Sequence, residues 1–300
     1  TYTSLRDIGV NIVTARAVVL YFWSLPLAIY HFSAQVLGRR PKVQKDGTVR
    51  PGSNAVAAAA YRSGEKLHFD GRGEGEEREL PRSHDYSRRS GVSHSEVMIP
   101  PGAAPWLESR ELLWNAVEAM EVRKDAQLAR EFNMALPHEL THEQRLELVR
   151  SFVDEQFVRR GMVADIALHD PDPEKGMSEK NYHAHVMLTL RKATRDGLHP
   201  VKTREWNAKD QLKVWREEWS LACNGALERA GKRTRVDHRT LEQQRQDAMK
   251  RGDFMLAAAL EREPEVHQGP RARQAERRGY KARSGRREVG PHWHREWQGD

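Results

Sequence analysis

The sequence has little cysteine and no apolar run long enough to span a membrane. Its 300 residues include one cysteine, Cys223, which excludes an internal disulfide and fits a reducing compartment. The only long apolar run, residues 17–30, is shorter than the roughly 20 residues of a spanning helix, and Pro26 interrupts it. No small-residue cleavage site of a secretory signal follows it. These absences predict a cytoplasmic protein without membrane insertion.

Acidic residues are the scarcer of the two charged classes. There are 43 Asp and Glu against 50 Lys and Arg, which gives a formal net charge of +7. A basic surplus favours an anionic partner such as nucleic acid. Much of the surplus lies in residues 268–300, which are rich in Arg, Gly and His and show no periodicity. We expect this tail to be disordered, and either to contact nucleic-acid phosphates or to act as a solvated linker.

Strand-like and helix-like segments alternate along the chain. Apolar periodicity predicts strands at 27–36, 93–99, 130–136, 162–169 and 183–190, and helices at 54–62, 106–127, 141–160 and 205–230. Short connections between the strands favour antiparallel pairing. The expected fold class is therefore α+β, a central antiparallel sheet with helices packed on one face.

Three histidines fall at the ends of two predicted strands. His183 and His185 flank Ala184, and side chains on a strand alternate between its faces, so both imidazoles point the same way. His169 ends the preceding predicted strand. If the two strands are neighbours, three imidazoles converge and can hold a divalent cation with positions left open. The alternative is that these are ordinary polar residues, since the chain contains 14 histidines.

Tyr61 lies in an alanine-rich helix that offers no other reactive group. Small residues on the same helix allow another surface to approach closely. A phenol is a weak nucleophile unless a metal or a base helps it to lose its proton. A three-histidine metal site could polarise a phosphodiester for attack by Tyr61 and stabilise the charge that develops. The alternative is a tyrosine that only packs.

Together these segments resemble one protein family. The matching segments are 28–33, 53–65, 123–137, 160–171, 183–191 and 236–241. In this order they resemble the relaxase domain of the MobA/MobL family of plasmid mobilisation proteins, and most of all the amino-terminal relaxase domain of Ti-plasmid-type TraA proteins. The resemblance covers about 28–241, most of the chain.

The resemblance implies an HUH endonuclease, a class named for two histidines separated by a hydrophobic residue. Such an enzyme nicks and rejoins one DNA strand at a plasmid origin of transfer through a covalent 5′-phosphotyrosine. It implies that Tyr61 is the nucleophile and that Mn²⁺ or Mg²⁺ binds to the three histidines, His169, His183 and His185. Glu131 matches an acidic family position and would bind the metal or orient a ligand histidine.

The resemblance also implies partners and boundaries. The DNA would be single-stranded or melted at the origin, with relaxosome accessory proteins and a coupling protein as further partners. We expect an amino-terminal extension at 1–26, a relaxase domain at 27–245 and a basic carboxyl-terminal helix and tail at 246–300. The extension is unlike the family, and no GxxxxGK[ST] stretch of a downstream helicase occurs. The expectation is a nickase domain alone or a fragment of a longer relaxase–helicase.

Three rival hypotheses remain. His138 to His142 reads HExxH, the zinc-protease motif, but Pro137 precedes it and Thr141 resembles a helix cap, so the two histidines would straddle the helix start. A non-catalytic basic DNA-binding protein would need neither metal nor nucleophile. A metal phosphoesterase with a water nucleophile would not need Tyr61.

Two further expectations concern nucleophile and pH. If Tyr61 is not the nucleophile, the candidates are Tyr30, Tyr86 and Tyr182, of which Tyr182 lies next to His183 but faces away from the histidine pair. Imidazoles must be neutral to bind a metal. With ordinary pKa values, activity should therefore fall below about pH 6.

Overall fold

The computed structural model describes residues 29–43, 47–50, 52–73, 78–175 and 178–261. The chain divides into two compact units, one ending at His238 and the other beginning at Arg239. The extension expected at 1–26 and the tail expected at 268–300 lie outside the described residues, and the domain boundary expected at 245 stays a prediction. In the described ranges, no helix is both long and apolar enough to cross a bilayer.

A central antiparallel sheet organises the first unit. The strands are β1 (Phe32–Gly38), β2 (Lys42–Val43), β3 (Val49–Arg50), β4 (Lys66–Phe69), β5 (Arg82–Asp85), β6 (Val92–Met98), β7 (Gln127–Ala135), β8 (Met162–His169), β9 (His183–Thr194) and β10 (Gly197–Lys202). The central sheet has the order β1-β7-β9-β8-β6, with β10 paired to the end of β9. All of its neighbouring strands are antiparallel. Two short hairpins, β2–β3 and β4–β5, lie off the sheet.

The described ranges contain six α-helices. They are α1 (Ala55–Ser63), α2 (Arg110–Met120), α3 (His142–Val153), α4 (Lys209–Arg229), α5 (Leu241–Lys250) and α6 (Phe254–Leu260). The last two belong to the second unit. Helix α3 begins at a capping box in which the Thr141 hydroxyl accepts from the Gln144 amide and the Gln144 side chain accepts from the Thr141 amide. It continues into a π-helical turn at Asp154–Val158.

One face of the sheet is covered by α3, its π-helical turn and α4. The core there is aromatic, and Trp215 meets Phe132 edge-on with ring centroids 5.2 Å apart. Phe132 also stacks on Phe157 of the π-helical turn at 5.0 Å. Edge-on and stacked ring pairs of this kind are worth about 0.5–1.5 kcal/mol beyond the area they bury. This helical layer covers one face of the sheet, and His169, His183 and His185 lie on the opposite face.

The other face is partly covered by α1 and α2. The predicted α+β fold with a central antiparallel sheet is confirmed, and α3 and α4 form the helical layer that the sequence indicates. The structure adds a second, smaller helical layer formed by α1 and α2. As a result, β8 is buried on both of its faces. On the face of β8 that α2 covers, the Asp165 carboxylate accepts from Arg110 Nε at 3.0 Å and from Trp114 Nε1 at 2.8 Å. A buried carboxylate needs such donors, and α2 supplies them.

Candidate active site

Three histidines converge on the face of the sheet that α1 borders. His169 ends β8, and His183 and His185 begin β9, the neighbouring strand. The register pairs His169 with His183 and Ala167 with His185, so all three imidazoles lie on one face. Their ring centroids are 4.9 to 5.2 Å apart, and one ligand atom from each lies within 4.8 Å of the others. The structure thus brings together the three residues that the sequence nominated as metal ligands.

Two of these imidazoles are oriented through their Nδ1 atoms. His183 Nδ1 donates to the Asn181 carbonyl at 3.0 Å. His185 Nδ1 lies 3.1 Å from Glu131 Oε1. A carbonyl or an ionised carboxylate only accepts, so the proton is assigned to Nδ1 in both rings. The Nε2 lone pairs of His183 and His185 are then free to bind a metal, which is the usual outer arrangement of histidine ligands.

The third imidazole is held the other way round. His169 Nε2 donates to the carbonyl of Arg62 at 2.7 Å, which leaves the lone pair on Nδ1. That Nδ1 lies 3.4 Å from Arg89 Nη2, which points a donor toward it. All three rings therefore carry a proton on the nitrogen that meets a protein acceptor and a lone pair on the other. This donor set fits a divalent transition ion.

Glu131 lies on β7 beside the histidine pair. Its register partner on β9 is Met187, so its side chain shares the face of His185. Glu131 is 2% exposed and accepts from Arg62 Nε and Gln35 Nε2, each at 2.5 Å, as well as from His185. Burial alone would raise the pKa of Glu131, but the hydrogen bonds from His185 and Arg62 outweigh it and lower the pKa to about 2. The carboxylate is therefore ionised and reaches the cluster through His185.

Tyr61 lies in the last turn of α1. The helix is capped by Asn54, whose side chain accepts from the Ala57 amide. It ends at Gly64, which has a left-handed φ of 70°, and a Cβ added there would lie 3.1 Å from Val92 Cγ2. Ala55, Ala59 and Ala60 of α1 face the core, while Tyr61 is 48% exposed. A side chain this exposed is not a core tyrosine.

Two neighbours hold the Tyr61 ring. Tyr86 meets it edge-on, with centroids 5.3 Å apart and planes at 87°. The Arg89 guanidinium carbon lies 3.7 Å from its centroid, a cation–π contact. Because the next residue, Arg62, accepts from His169 through its carbonyl, the end of α1 is tied to the histidine cluster. The arrangement places a phenol, three imidazoles and two arginines around one solvent-accessible face.

Several of these residues escaped the sequence reasoning. Arg62 and Gln35 reach Glu131 from elements that are distant in the chain, and no local pattern marks them. Arg89 lies in a stretch, 70–92, that reads as a charged loop, and the sequence predicts Tyr86 only as an alternative nucleophile. The only available signal was the segment SNAVAAAAYRSGE, in which Arg62 directly follows the tyrosine.

Burial changes the expected pH behaviour of the cluster. Desolvation is the largest cause that lowers the pKa of His169, to about 3, and of His183, to about 4. The sequence alone predicted that activity falls below about pH 6, where ordinary imidazoles become protonated. These two side chains instead stay neutral to lower pH. We therefore expect their protonation to limit metal binding only below about pH 5.

The same pKa shifts predict how the stability of the metal-free protein depends on pH. The folded pKa values of His169 and His183 lie below the unfolded value of about 6.5, so the unfolded chain binds more protons. Stability present above that value is lost as the pH falls, by about 2 kcal/mol for each group at pH 5. Urea unfolding in EDTA at about pH 7 and pH 5 should show a smaller loss for His183→Gln than for wild type. Equal losses would contradict the assignment.

Two of the three alternative nucleophiles are poorly placed. The Tyr30 hydroxyl donates to the Arg216 carbonyl at 2.7 Å, and burial raises the pKa of Tyr30 strongly. Tyr182 packs against the core beneath the opposite face, with the Arg145 guanidinium 3.7 Å from its ring centroid. Tyr86 lies beside Tyr61 and is the nearest of the three to it.

The HExxH segment does not form a metal site. Thr141 caps α3, so His142 is the first helical residue and His138 lies in the loop before the helix. His138 Nδ1 contacts Glu139 at 3.2 Å. In the part of the chain that the structure describes, His169, His183 and His185 form the one group of three or more metal-binding side chains that converge.

A cavity of about 840 Å³ lies away from the histidine cluster. It is lined by residues between Glu121 and Gln127, by Leu190 and Arg191 of β9, and by residues between Pro200 and Asn207. The three histidines lie at the end of β8 and the start of β9, and none of them lines the cavity. The candidate active site, bordered by α1, therefore lies outside this cavity.

Comparison with known proteins assigns the family. The model of the MobA/MobL family matches residues 53–278. The chain belongs to the MobA/MobL family. The match begins at the residue before the cap of α1 and includes Tyr61, Glu131 and the three histidines.

Relatives carry names from conjugation and mobilisation. The chain is 32% identical over 287 residues to the conjugal transfer protein TraA of Agrobacterium fabrum, covering 84% of this chain and 22% of TraA. It is 33% identical over 279 residues to the mobilization protein MobL of Acidithiobacillus ferridurans, covering 84% of this chain and 65% of MobL. The chain thus spans less than two thirds of either relative.

A solved structure supports the fold assignment. A chain from a study of the molecular basis of vancomycin resistance transfer in Staphylococcus aureus matches with a TM-score of 0.56 and 28% identity. The match covers 71% of this chain and 99% of that chain. The sheet and its flanking helices therefore form a unit that also occurs in a solved protein.

Proposed function

We propose that this protein nicks and rejoins one strand of plasmid DNA at an origin of transfer and so initiates conjugative transfer. The observation that carries the proposal is the link between the Tyr61 helix and the histidine cluster, made by the hydrogen bond from His169 to the carbonyl of Arg62. Membership of the MobA/MobL family and the conjugal transfer and mobilization names of the relatives point to the same process.

His169, His183 and His185 would hold a divalent ion. Three nitrogen ligands suit Mn²⁺ or another transition ion better than Mg²⁺, so the metal available in the cell decides which ion is used. Held by these three histidines, such an ion would polarise the scissile phosphate and neutralise part of its charge. Glu131 orients His185 and keeps its proton on Nδ1, so it acts through a ligand rather than on the DNA.

Tyr61 is the nucleophile in this proposal. Its phenol oxygen attacks the scissile phosphorus, a bond from phosphorus to tyrosine oxygen forms, and the bond from phosphorus to the 3′ oxygen breaks. The phenol proton is lost and the 3′ oxygen gains a proton, so a free 3′-hydroxyl and a 5′-phosphotyrosine result. The ester conserves the energy of the bond, and attack by a 3′-hydroxyl reverses the step and rejoins the strand.

The DNA would be single-stranded or locally melted, so that the scissile phosphate can reach the histidine cluster beside α1. The formal net charge of +7 on the protein favours such an anionic partner. A cytoplasmic location, relaxosome accessory proteins and a coupling protein fit the same process and stay predictions. The rival reading as a non-catalytic DNA-binding protein leaves three oriented imidazoles beside an exposed tyrosine without a purpose.

A labelled single-stranded oligonucleotide that carries the cognate origin tests the proposal. Wild-type protein is incubated with it and Mn²⁺, with and without EDTA, and the products are separated on a denaturing gel. We expect a protein–DNA adduct that forms only with metal, because the histidines alone supply no positive charge to the phosphate. Cleavage without an adduct would indicate a water nucleophile and would overturn the covalent mechanism, while binding without cleavage would favour the DNA-binding protein.

A further inference from the structure

Arg89 touches both halves of the candidate site. It lies in the turn between β5 and β6, where its backbone amide donates to the Tyr86 carbonyl at 2.9 Å. Its guanidinium carbon lies 3.7 Å from the centroid of the Tyr61 ring, and Nη1 donates to the Tyr61 carbonyl at 2.6 Å. Nη2 lies 3.4 Å from Nδ1 of His169. One side chain thus bridges the proposed nucleophile and the proposed metal site.

The charge of Arg89 is not balanced within the described residues. Two arginines that lie beside the sheet meet carboxylates there: Arg62 contacts Glu131 at 2.5 Å, and Arg191 contacts Glu121 at 2.9 Å. Arg89 has no carboxylate within ion-pair distance in the described part of the chain, and its contacts are a ring, a carbonyl and an imidazole. A half-buried guanidinium that lies beside a proposed metal site needs a nearby anion to balance the positive charge.

The two ends of the guanidinium differ in how firmly they are engaged. The 2.6 Å hydrogen bond from Nη1 to the Tyr61 carbonyl is short and fixes the group over the ring. The 3.4 Å contact of Nη2 with His169 is at the long limit of a hydrogen bond and contributes little. Nη2 is therefore a donor that an incoming acceptor can take. A guanidinium presents its donors as a planar fork that suits phosphate oxygens.

We infer that Arg89 is a catalytic residue that binds a non-bridging oxygen of the scissile phosphodiester through Nη2 while Nη1 holds the end of α1. The inference rests on the proposed function. As the phenol oxygen attacks, negative charge grows on the non-bridging oxygens, and a donor already in place stabilises it. Arg89 stays protonated throughout, and no proton passes through it. Its contact with the Tyr61 ring fixes the phenol relative to that phosphate.

Variants of Arg89 test this role with a matched neighbour as control. Arg89→Gln removes the charge and Arg89→Lys keeps it, while Arg88→Gln removes the same charge from the exposed preceding residue. We expect Arg89→Gln to slow adduct formation by roughly 10² to 10³-fold, Arg89→Lys to recover part of that loss, and Arg88→Gln to retain the wild-type rate. Mn²⁺ binding, measured separately by titration, should be kept in all three, because the histidines are unchanged.

A change in the substrate separates contact with phosphate from support of the tyrosine. Oligonucleotides carry a methylphosphonate in place of either the pro-R or the pro-S non-bridging oxygen at the scissile position. Wild type should be slowed by both, and Arg89→Gln should be insensitive to one of them, because the lost oxygen is the one that Arg89 binds. Arg89→Met, which also removes the charge, serves for the same comparison if the Gln variant does not fold.

The outcomes separate the inference from the proposed function. If wild type forms an adduct and Arg89→Gln forms it at the wild-type rate, Arg89 has no catalytic role and the proposed function stands. A slow Arg89→Gln variant that is still slowed by both methylphosphonates would overturn the phosphate contact and leave Arg89 as a support for Tyr61. If wild type forms no adduct, the proposed function itself fails.

Discussion

Tyr61→Phe is expected to abolish the covalent protein–DNA adduct and to leave DNA binding in place. The substitution removes one oxygen and keeps the ring, so the edge-on contact with Tyr86 and the cation–π contact with Arg89 remain. The side chain is 48% exposed, so the change opens no core cavity and should cost little stability. Loss of a covalent nucleophile typically costs about 10⁴-fold or more in rate, which a gel assay reads as absence of adduct.

The control for this prediction is Tyr182→Phe. Tyr182 immediately precedes His183 in the chain, but it packs toward the opposite face of the sheet with Arg145 over its ring. We expect that variant to form the adduct at the wild-type rate. An adduct that survives in Tyr61→Phe and disappears in a variant of another tyrosine would keep the enzyme class and move the nucleophile, with Tyr86 as the next candidate because of its proximity.

The histidine cluster was predictable because it depends on one local rule and one topological choice. Alternation along a strand places His183 and His185 on the same face whatever the rest of the fold does. His169 joins them only because β8 and β9 are consecutive strands that pair directly and antiparallel, which is the commonest outcome for short connections. Sequence reasoning reached both steps from local pattern.

Local sequence patterns do not predict the contacts that support the histidine cluster. Glu131 meets His185 because β7 lies on the other side of β9, and Gln35 reaches Glu131 because β1 pairs with β7 in a fixed register. These contacts join residues 54 and 96 positions apart. Register over such separations is set by the packing of both layers, and a single sequence carries no local mark of it. The second helical layer was missed because the alanines of α1 give no clear stripe of large apolar residues.

Arg89 illustrates a further limit. It lies in a stretch rich in charge and glycine, where a charged side chain is ordinarily solvated. Its importance comes from three contacts that the fold creates: with Tyr61 on α1, with His169 on β8 and with Tyr86 in its own turn. Functional residues on loops are positioned by the rigid elements around them, so the loop has to be placed before their role can be recognised.

His183→Ala is expected to remove both metal binding and adduct formation. His183 supplies one of three converging nitrogens, and its ring is held by the Asn181 carbonyl at 3.0 Å. Even the loss of an outer partner of a ligand costs about 10 to 100-fold in metal affinity, and loss of the ligand itself should cost at least as much. Mn²⁺ titration followed by electron paramagnetic resonance of the free ion measures the first effect, and the adduct gel measures the second.

The matched control for that prediction is His138→Ala, which tests the HExxH alternative in the same experiment. His138 lies in the loop before α3, outside the converging histidine cluster, so we expect it to keep both Mn²⁺ affinity and adduct formation. Because His183 is a partly buried imidazole whose pKa of about 4 keeps it neutral, alanine there removes no charge from the folded protein. The expected losses therefore report a missing ligand rather than an altered surface potential. Wild-type Mn²⁺ affinity in His183→Ala, or its loss in His138→Ala, would contradict a metal site at the ends of β8 and β9.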